Sequence, residues 1–228
     1  MPEAWLVIKN GLGTWRQNYW PGVLVSIVFL MCAATGLLLP PALFGLNEYA
    51  YQKMKGRTVS FATFWEAVLH YLGKSYLWAA LNGVVIVLAW VNLRFYGDVS
   101  ETLGGALQWF FTFLALIWLM MQMYFVPFVI QLTEENVWLA LRNSFFGVLA
   151  FPIYALSLFV FSFFIAVTGS LVIIPLIMGL PLLLALIGQY AVQDRLNVAH
   201  QRMREQQEQA EKDAKEKAGE QNSEGFVE

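Results

Sequence analysis

The sequence predicts an all-α integral membrane protein: a bundle of five transmembrane helices with two short amphipathic interfacial helices and a polar helical C-terminal tail. Of its 228 residues, 58% are hydrophobic and only 13% are charged, whereas soluble domains carry about 25% charged residues. Four stretches contain no Asp, Glu, Lys or Arg at all: residues 17–47, 75–93, 102–133 and 143–193. Each reaches or approaches the roughly 20 apolar residues that a helix needs to cross the hydrocarbon core.

The order of these stretches predicts three regions. Residues 1–19 form an N-terminal interfacial arm, residues 20–193 form the transmembrane domain, and residues 194–228 form a charged cytoplasmic tail that is partly disordered. The arm is either a short interfacial helix or a frayed terminus, and the tail continues the last helix with or without a coiled-coil seam. The spans are expected at about 20–39, 76–93, 103–125, 145–167 and 171–192.

Two boundaries rest on particular residues. Pro40-Pro41 is expected to end the first span and to open a hydrophilic connection. The 51-residue stretch at 143–193 must turn once, and Thr168-Gly169-Ser170 is the expected turn.

The clearest amphipathic helix covers residues 61–73, with Ser60 as its N-cap. Its apolar side chains recur at helical spacing: Phe61, Phe64, Trp65, Val68, Leu69 and Leu72. Its polar face holds Thr63, Glu66, His70 and Lys74, and His70 is expected to pair with Glu66 one turn away. A second short helix is expected to start at Thr133, with Glu134 and Glu135 in its first turn.

The orientation follows from the distribution of positive charge. Five spans put the termini on opposite sides of the membrane, and eleven of the fourteen lysines and arginines fall on the side of the first loop, the third loop and the tail. Because positive residues stay in the cytoplasm, the C-terminus is expected inside and the N-terminus outside.

The predicted spans contain no Asp, Glu, Lys, Arg or His, which makes a proton-coupled pump a poor fit. Cys32, in the first apolar stretch, is expected to pack as a small hydrophobic residue. Their most prominent amides are Asn82, Gln108, Gln122 and Gln189. Such groups usually join helices by hydrogen bonds; the other interpretation is a water-accessible path, which four cysteine variants inert to water-soluble thiol reagents would eliminate. Neither histidine belongs to a metal-ligand pattern, and no nucleophile–base motif occurs, so neither cofactor nor catalysis is expected. No basic surface suits nucleic acid.

Several short motifs in the first 95 residues suggest a family. Asn18-Tyr19-Trp20 enters the first span, Leu39-Pro40-Pro41-Ala42-Leu43 closes it, and Met54-Lys55-Gly56-Arg57, Phe61-x-x-Phe64-Trp65 and Lys74-Ser75 lead into the second. The chain thereby resembles the YesL family of bacterial multi-pass membrane proteins, a family without a known activity. Pro41 and the long charged tail depart from that pattern. The resemblance implies an accessory role beside a carbohydrate uptake system, and it supplies no catalytic residues.

The sequence is compatible with two functions. The preferred one is a non-catalytic bacterial inner-membrane protein that assists or regulates a transport system through its cytoplasmic surfaces, with the lipid bilayer and a transporter or other membrane subunit as partners. The expected partner surface comprises Glu66, His70, Lys74, Arg195 and Arg202. The alternative is a small permease or channel that acts on its own.

Overall fold

The computed structural model describes residues 4–17, 19–97, 101–132, 134–172, 177 and 179–224. Within these residues the chain is all-helical and has no strand, as the sequence predicts. The helices are α1 (Ala4–Arg16), α2 (Tyr19–Ala34), α3 (Leu39–Met54), α4 (Phe61–His70), α5 (Leu72–Gly97), α6 (Glu101–Gln131), α7 (Val137–Ala150), α8 (Pro152–Leu171) and α9 (Leu180–Glu224). The chain divides into two compact units, Met1–Val192 and Gln193–Glu228.

Three described helices are long and apolar enough to cross a membrane. These segments are Leu72–Asn92 in α5, Gly104–Gln131 in α6 and Pro152–Leu171, which is α8; the number is four if α1 and α2 together make one bent span. The segment in α5 has only 6% of its residues buried inside the protein. Because a helix that is apolar all round needs apolar surroundings, this supports a membrane setting.

The core of the first unit lies between α2, α3, α4 and the start of α9. Its buried side chains include Phe29, Leu46, Tyr49, Phe64 and Leu186. Most of this core surrounds α3.

Helix α3 corrects the expectation of a hydrophilic connection after Pro40-Pro41. The prolines lie in the first turn of α3, where a missing N–H costs nothing, so they start a helix here. Phe44, Tyr49 and Ala50 are fully buried. The polar residues that suggested a loop take part in contacts with other helices, described below.

The predicted fourth span at 145–167 is divided into two helices. Helix α7 ends at Ala150, and α8 begins at Pro152, with Phe151 between them. Proline lacks the N–H and clashes with the preceding turn, so it favours the first position of a new helix.

The turn predicted at Thr168-Gly169-Ser170 is also wrong, because α8 continues to Leu171. The Thr168 and Ser170 hydroxyls donate to the carbonyls of Phe164 and Ala166, which lets both residues remain helical. Helix α9 begins at Leu180 rather than at the expected residue 171, with Pro181 in its first turn.

The first amphipathic helix is present as α4, but it ends at His70 rather than at residue 73, and Leu72 and Lys74 belong to α5. The Ser60 N–H donates to Thr63 Oγ1 over 3.3 Å at the start of the helix, and Phe64, Ala67 and Val68 are buried. The second short helix begins later than expected: Asn136 caps α7 by accepting from the N–H groups of Trp138 and Leu139. The expected cap, Thr133, lies outside the described residues.

Candidate functional site

The most concentrated charged group in the first unit joins three distant segments; we call it the carboxylate cluster. It comprises Glu48 of α3, His70, Tyr71 and Lys74 at the junction of α4 and α5, and Glu135 between α6 and α7. His70 Nε2 lies 3.0 Å from Glu135 Oε2, and Lys74 Nζ donates to the same oxygen. Glu135 thus accepts from two basic side chains at once.

Tyr71 connects the two carboxylates of the cluster. Its hydroxyl donates to Glu135 Oε1 over 3.2 Å and lies 3.5 Å from Glu48 Oε2. Because a phenol has one hydrogen, the nearer Glu135 is the better acceptor. The network continues along α3, where Glu48 accepts from Gln52 Nε2. Gln52 Oε1 in turn accepts from Arg57 Nη1 over 2.7 Å.

The backbone at Glu135 is strained. Its φ is 44°, and among the described residues it is the one non-glycine with a positive φ. A left-handed conformation costs such a residue about 1–2 kcal/mol. The contacts of the Glu135 carboxylate with Lys74, His70 and Tyr71 offset this cost, so the turn and the cluster stabilise each other.

Burial and pairing move the pKa values of the cluster in opposite directions. Burial alone would raise the pKa of Glu135, but the hydrogen bonds from Lys74 and His70 outweigh it and hold the pKa below its usual value. Burial raises the pKa of Glu48, which has no basic partner so close. Burial and the two carboxylates raise the pKa of Tyr71, so its phenol stays protonated and remains a donor.

These directions predict how acid affects the fold. The ordinary pKa of a glutamate is 4.5; since the folded-state pKa of Glu135 is lower, its stabilisation is fully present above that value and is lost as the pH falls through the folded value. Glu48 has the opposite effect, because its raised pKa means that its ionisation at higher pH lowers the stability of the folded state. Acidification from about pH 6 to about pH 3 should therefore lower the thermal midpoint of the wild type more than that of Glu135→Gln.

Glu134, the exposed neighbour of Glu135, provides a control for this measurement. Glu134→Gln removes one carboxylate from the same connection and should keep the full acid sensitivity of the wild type. Equal acid sensitivity of the wild type and Glu135→Gln would contradict the lowered pKa of Glu135 in the folded protein.

A second polar group is buried in the core, and we call it the amide network. Gln189 of α9 is fully buried. Its Nε2 donates to the backbone oxygen and Oδ1 of Asn47 over 3.1 and 3.3 Å, and it accepts from Gln131 Nε2 over 2.8 Å at its Oε1. The amides thus join α3, α6 and α9, as polar groups between apolar helices often do.

Two further amides join α5 to α6. Trp78 Nε1 donates to Gln122 Oε1 over 2.9 Å, and Trp118 Nε1 donates to Asn82 Oδ1 over 3.0 Å. Gln108, in contrast, is exposed on α6. Of the four amides singled out in the sequence, the structure therefore places two in this helix pair, one in the amide network and one on the surface.

The residues of the expected partner surface are divided between the two units. His70 and Lys74 belong to the carboxylate cluster, and Glu66 is exposed on α4. The expected pair of His70 with Glu66 is wrong, because the His70 ring bonds to Glu135 instead. In the second unit, Arg195 pairs with Asp194 over 2.8 Å, and Arg202 is exposed.

An apolar cavity of about 460 Å³ lies in the first unit, between α2, α3, α6, α8 and α9. The described residues in its wall are uncharged, and four of them carry a polar side chain: Asn47, Gln122, Ser162 and Ser170. Of the four amides from the sequence, Gln122 lies in this wall.

Sequence reasoning missed Glu48 and Tyr71 as members of a site, and it gave Glu135 only a role at a helix start. One signal was present: Glu48 follows directly on the uncharged stretch 17–47, as the first charged residue after the two prolines. Among the described residues, no group of three His, Cys, Asp or Glu side chains could hold a metal ion. No family model, curated protein or solved structure matches the chain.

Proposed function

We propose that this chain is a non-catalytic bacterial inner-membrane protein that assists or regulates a transport system, with a membrane-embedded transporter subunit as its partner. The contact surface would consist of the carboxylate cluster and the exposed side of α4. The five-span topology with a cytoplasmic tail, and the resemblance to the YesL family with its link to carbohydrate uptake, remain predictions within this proposal.

One observation carries the proposal: a partly exposed charged cluster lies beside an exposed apolar stripe on α4. The side chains of His70, Lys74 and Glu135 are 59%, 33% and 30% exposed. The stripe consists of Phe61, Trp65 and Leu69, each at least 40% exposed. Aromatic anchors bordered by charged groups are typical of protein–protein contact surfaces.

The three segments of the cluster make this surface well defined. Helix α4 packs on α3 through Phe64 and Val68, while Glu135 ties the α6–α7 connection to the end of α4. A partner that docks here would meet a preorganised surface and would lose less conformational entropy than one that orders a mobile loop.

The test is co-purification of the full chain from bacterial membranes in lipid nanodiscs. The wild type should retain a membrane-embedded transporter subunit in fixed stoichiometry. Because buried tryptophans often dominate interface energies, Trp65→Ser should reduce that retention at least about ten-fold. Trp90→Ser is the matched control, since Trp90 is 63% exposed on α5 and does not belong to the proposed contact surface.

Two results would count against the proposal. One is a wild-type protein that remains free of any transporter subunit across several mild conditions. The other is a captured subunit that Trp65→Ser and Trp90→Ser retain equally.

A further inference from the structure

We propose that the apolar cavity binds one long acyl chain of a diacylglycerol, an uncharged membrane lipid, through its ester-linked end. This proposal rests on the membrane setting assumed under the proposed function, but it concerns a different part of the molecule. The observations that favour it are the size of the cavity, the chemistry of its wall and a single buried hydroxyl.

The volume of the cavity fits such a chain. An engineered apolar cavity of about 150 Å³ holds one benzene ring, so a cavity three times larger has room for about 18 carbon atoms. The observed volume is about 460 Å³. This is also within the range of about 300–1,000 Å³ that is usual for ligand pockets.

The wall of the cavity suits an uncharged apolar ligand. Helix α8 contributes Phe159, Ser162, Phe163 and Ala166, which lie on one face at helical spacing. Its other side exposes Val160, Phe161 and Phe164 to the surroundings. Phe163 of the wall is also 61% exposed, so the cavity opens to its surroundings beside α8. These surroundings are acyl chains if the helix spans a membrane, as its length and composition allow.

The absence of charge in the described wall argues against a free fatty acid. A carboxylate that enters an apolar cavity needs a basic partner to offset its loss of hydration. The described residues of the wall include no Lys, Arg or His. An ester carbonyl has no net charge and needs only a hydrogen-bond donor.

Ser162 supplies that donor. Three of the four polar side chains in the wall are satisfied by the protein: Asn47 bonds to Leu43, Gln122 to Trp118, and Ser170 to Ala166. The Ser162 residue is only 6% exposed, and its hydroxyl has no hydrogen-bonding partner among the described residues. A buried hydroxyl is costly without a partner, and an ester carbonyl in the cavity would accept from it.

The experiment uses the full chain in phosphatidylcholine nanodiscs that contain a diacylglycerol with a diazirine on one acyl chain. After irradiation, mass spectrometry of peptides locates the label. The inner face of α8 should be labelled in excess of α5, which contacts bulk lipid and reports that the protein is embedded. Ala166→Trp should fill the cavity and reduce labelling of its wall at least about ten-fold, with α5 unchanged.

Two matched controls separate binding from folding. Val167→Trp adds the same bulk to the neighbouring exposed residue and should leave the labelling of the wall unchanged. Ser162→Ala, a variant of small structural effect, should reduce the labelling about five-fold at subsaturating probe. Ser157→Ala should have no effect, since the Ser157 hydroxyl donates to Ile153 of its own helix.

Three outcomes would overturn the proposal. The first is labelling of the cavity wall no greater than that of α5. The second is equal labelling of the wild type, Ala166→Trp and Ser162→Ala. The third is displacement of the probe by palmitate as readily as by an uncharged monoacylglycerol, which would contradict the ester. Failure of the membrane setting is distinguishable, because α5 would then carry no label.

Discussion

Gln189→Leu should destabilise the protein by about 3 kcal/mol, even though leucine is apolar and of similar size. The substitution leaves the Asn47 oxygens without the Gln189 amide donor and leaves the Gln131 side-chain amide without its side-chain acceptor. A buried polar group without a partner costs about 1–3 kcal/mol. Two such groups beside the fully buried residue 189 outweigh the gain in apolar surface.

Thermal unfolding in detergent or nanodiscs measures this effect. For a chain of this size, 1 kcal/mol corresponds to a shift of about 2–4 °C, so the midpoint should fall by about 6–12 °C. Gln108→Leu makes the same chemical change at an exposed position of α6 and should move the midpoint by less than about 2 °C. A stable Gln189→Leu variant would contradict the amide network.

A double substitution isolates the pairwise part of the effect. If Gln189 and Asn47 act through their mutual hydrogen bonds, the cost of Gln189→Leu should be smaller in an Asn47→Leu background than in the wild type. Independent, additive costs would place the loss in packing rather than in hydrogen bonding. The remaining bond of Gln131 to the Gln189 backbone oxygen is present in every variant, so it does not affect the comparison.

The sequence predicts those helices whose pattern is self-contained. Helix α4 follows from apolar residues at helical spacing after Ser60, and α5 and α6 follow from apolar stretches of sufficient length. In these cases the spacing of side chains or the length of the apolar run is enough, because the partner of the apolar surface is simply the core or the lipid.

Helix α3 shows where that reasoning fails. Lys53, Lys55 and Arg57 make the residues after Pro41 look like a solvent-exposed connection. In the structure, Asn47 meets Gln189, which is 142 residues away, and Lys53 is only 8% exposed. Polarity in a sequence indicates exposure only when no distant group offers a partner, and the spacing along one helix carries no information about such groups.

The carboxylate cluster could not be predicted from the sequence either, because its members are also distant in the chain. His70 and Glu66 are one turn apart, and exposed pairs of that kind contribute only about 0.2–0.5 kcal/mol. Glu135, 65 residues further along, offers His70 a carboxylate that Lys74 and Tyr71 also use. A shared acceptor with several donors is favoured over a single local pair, but its position depends on the fold of α6 and α7.

Gly45→Ala should destabilise the protein by about 2 kcal/mol, although alanine normally stabilises helices. A Cβ atom at Gly45 would lie 2.5 Å from Val68 Cγ2 and 2.9 Å from the Phe64 carbonyl oxygen. The Val68 side chain could turn away, but the carbonyl belongs to the backbone of α4 and cannot yield without moving the helix. Overpacking of this kind costs about 1–3 kcal/mol.

Gly83→Ala is the matched control, because Gly83 is also helical and nothing lies within 4 Å of its Cβ position. It should stabilise the protein by up to about 1 kcal/mol through helix propensity. Adding Val68→Ala to Gly45→Ala removes the side-chain clash and leaves the carbonyl contact, so it should restore little of the lost stability. If Gly45→Ala instead behaves like Gly83→Ala, then α3 and α4 do not approach as closely as described. The preorganised surface on α4 would then lose its support, since Phe64 and Val68 are the side chains that fix α4 against α3.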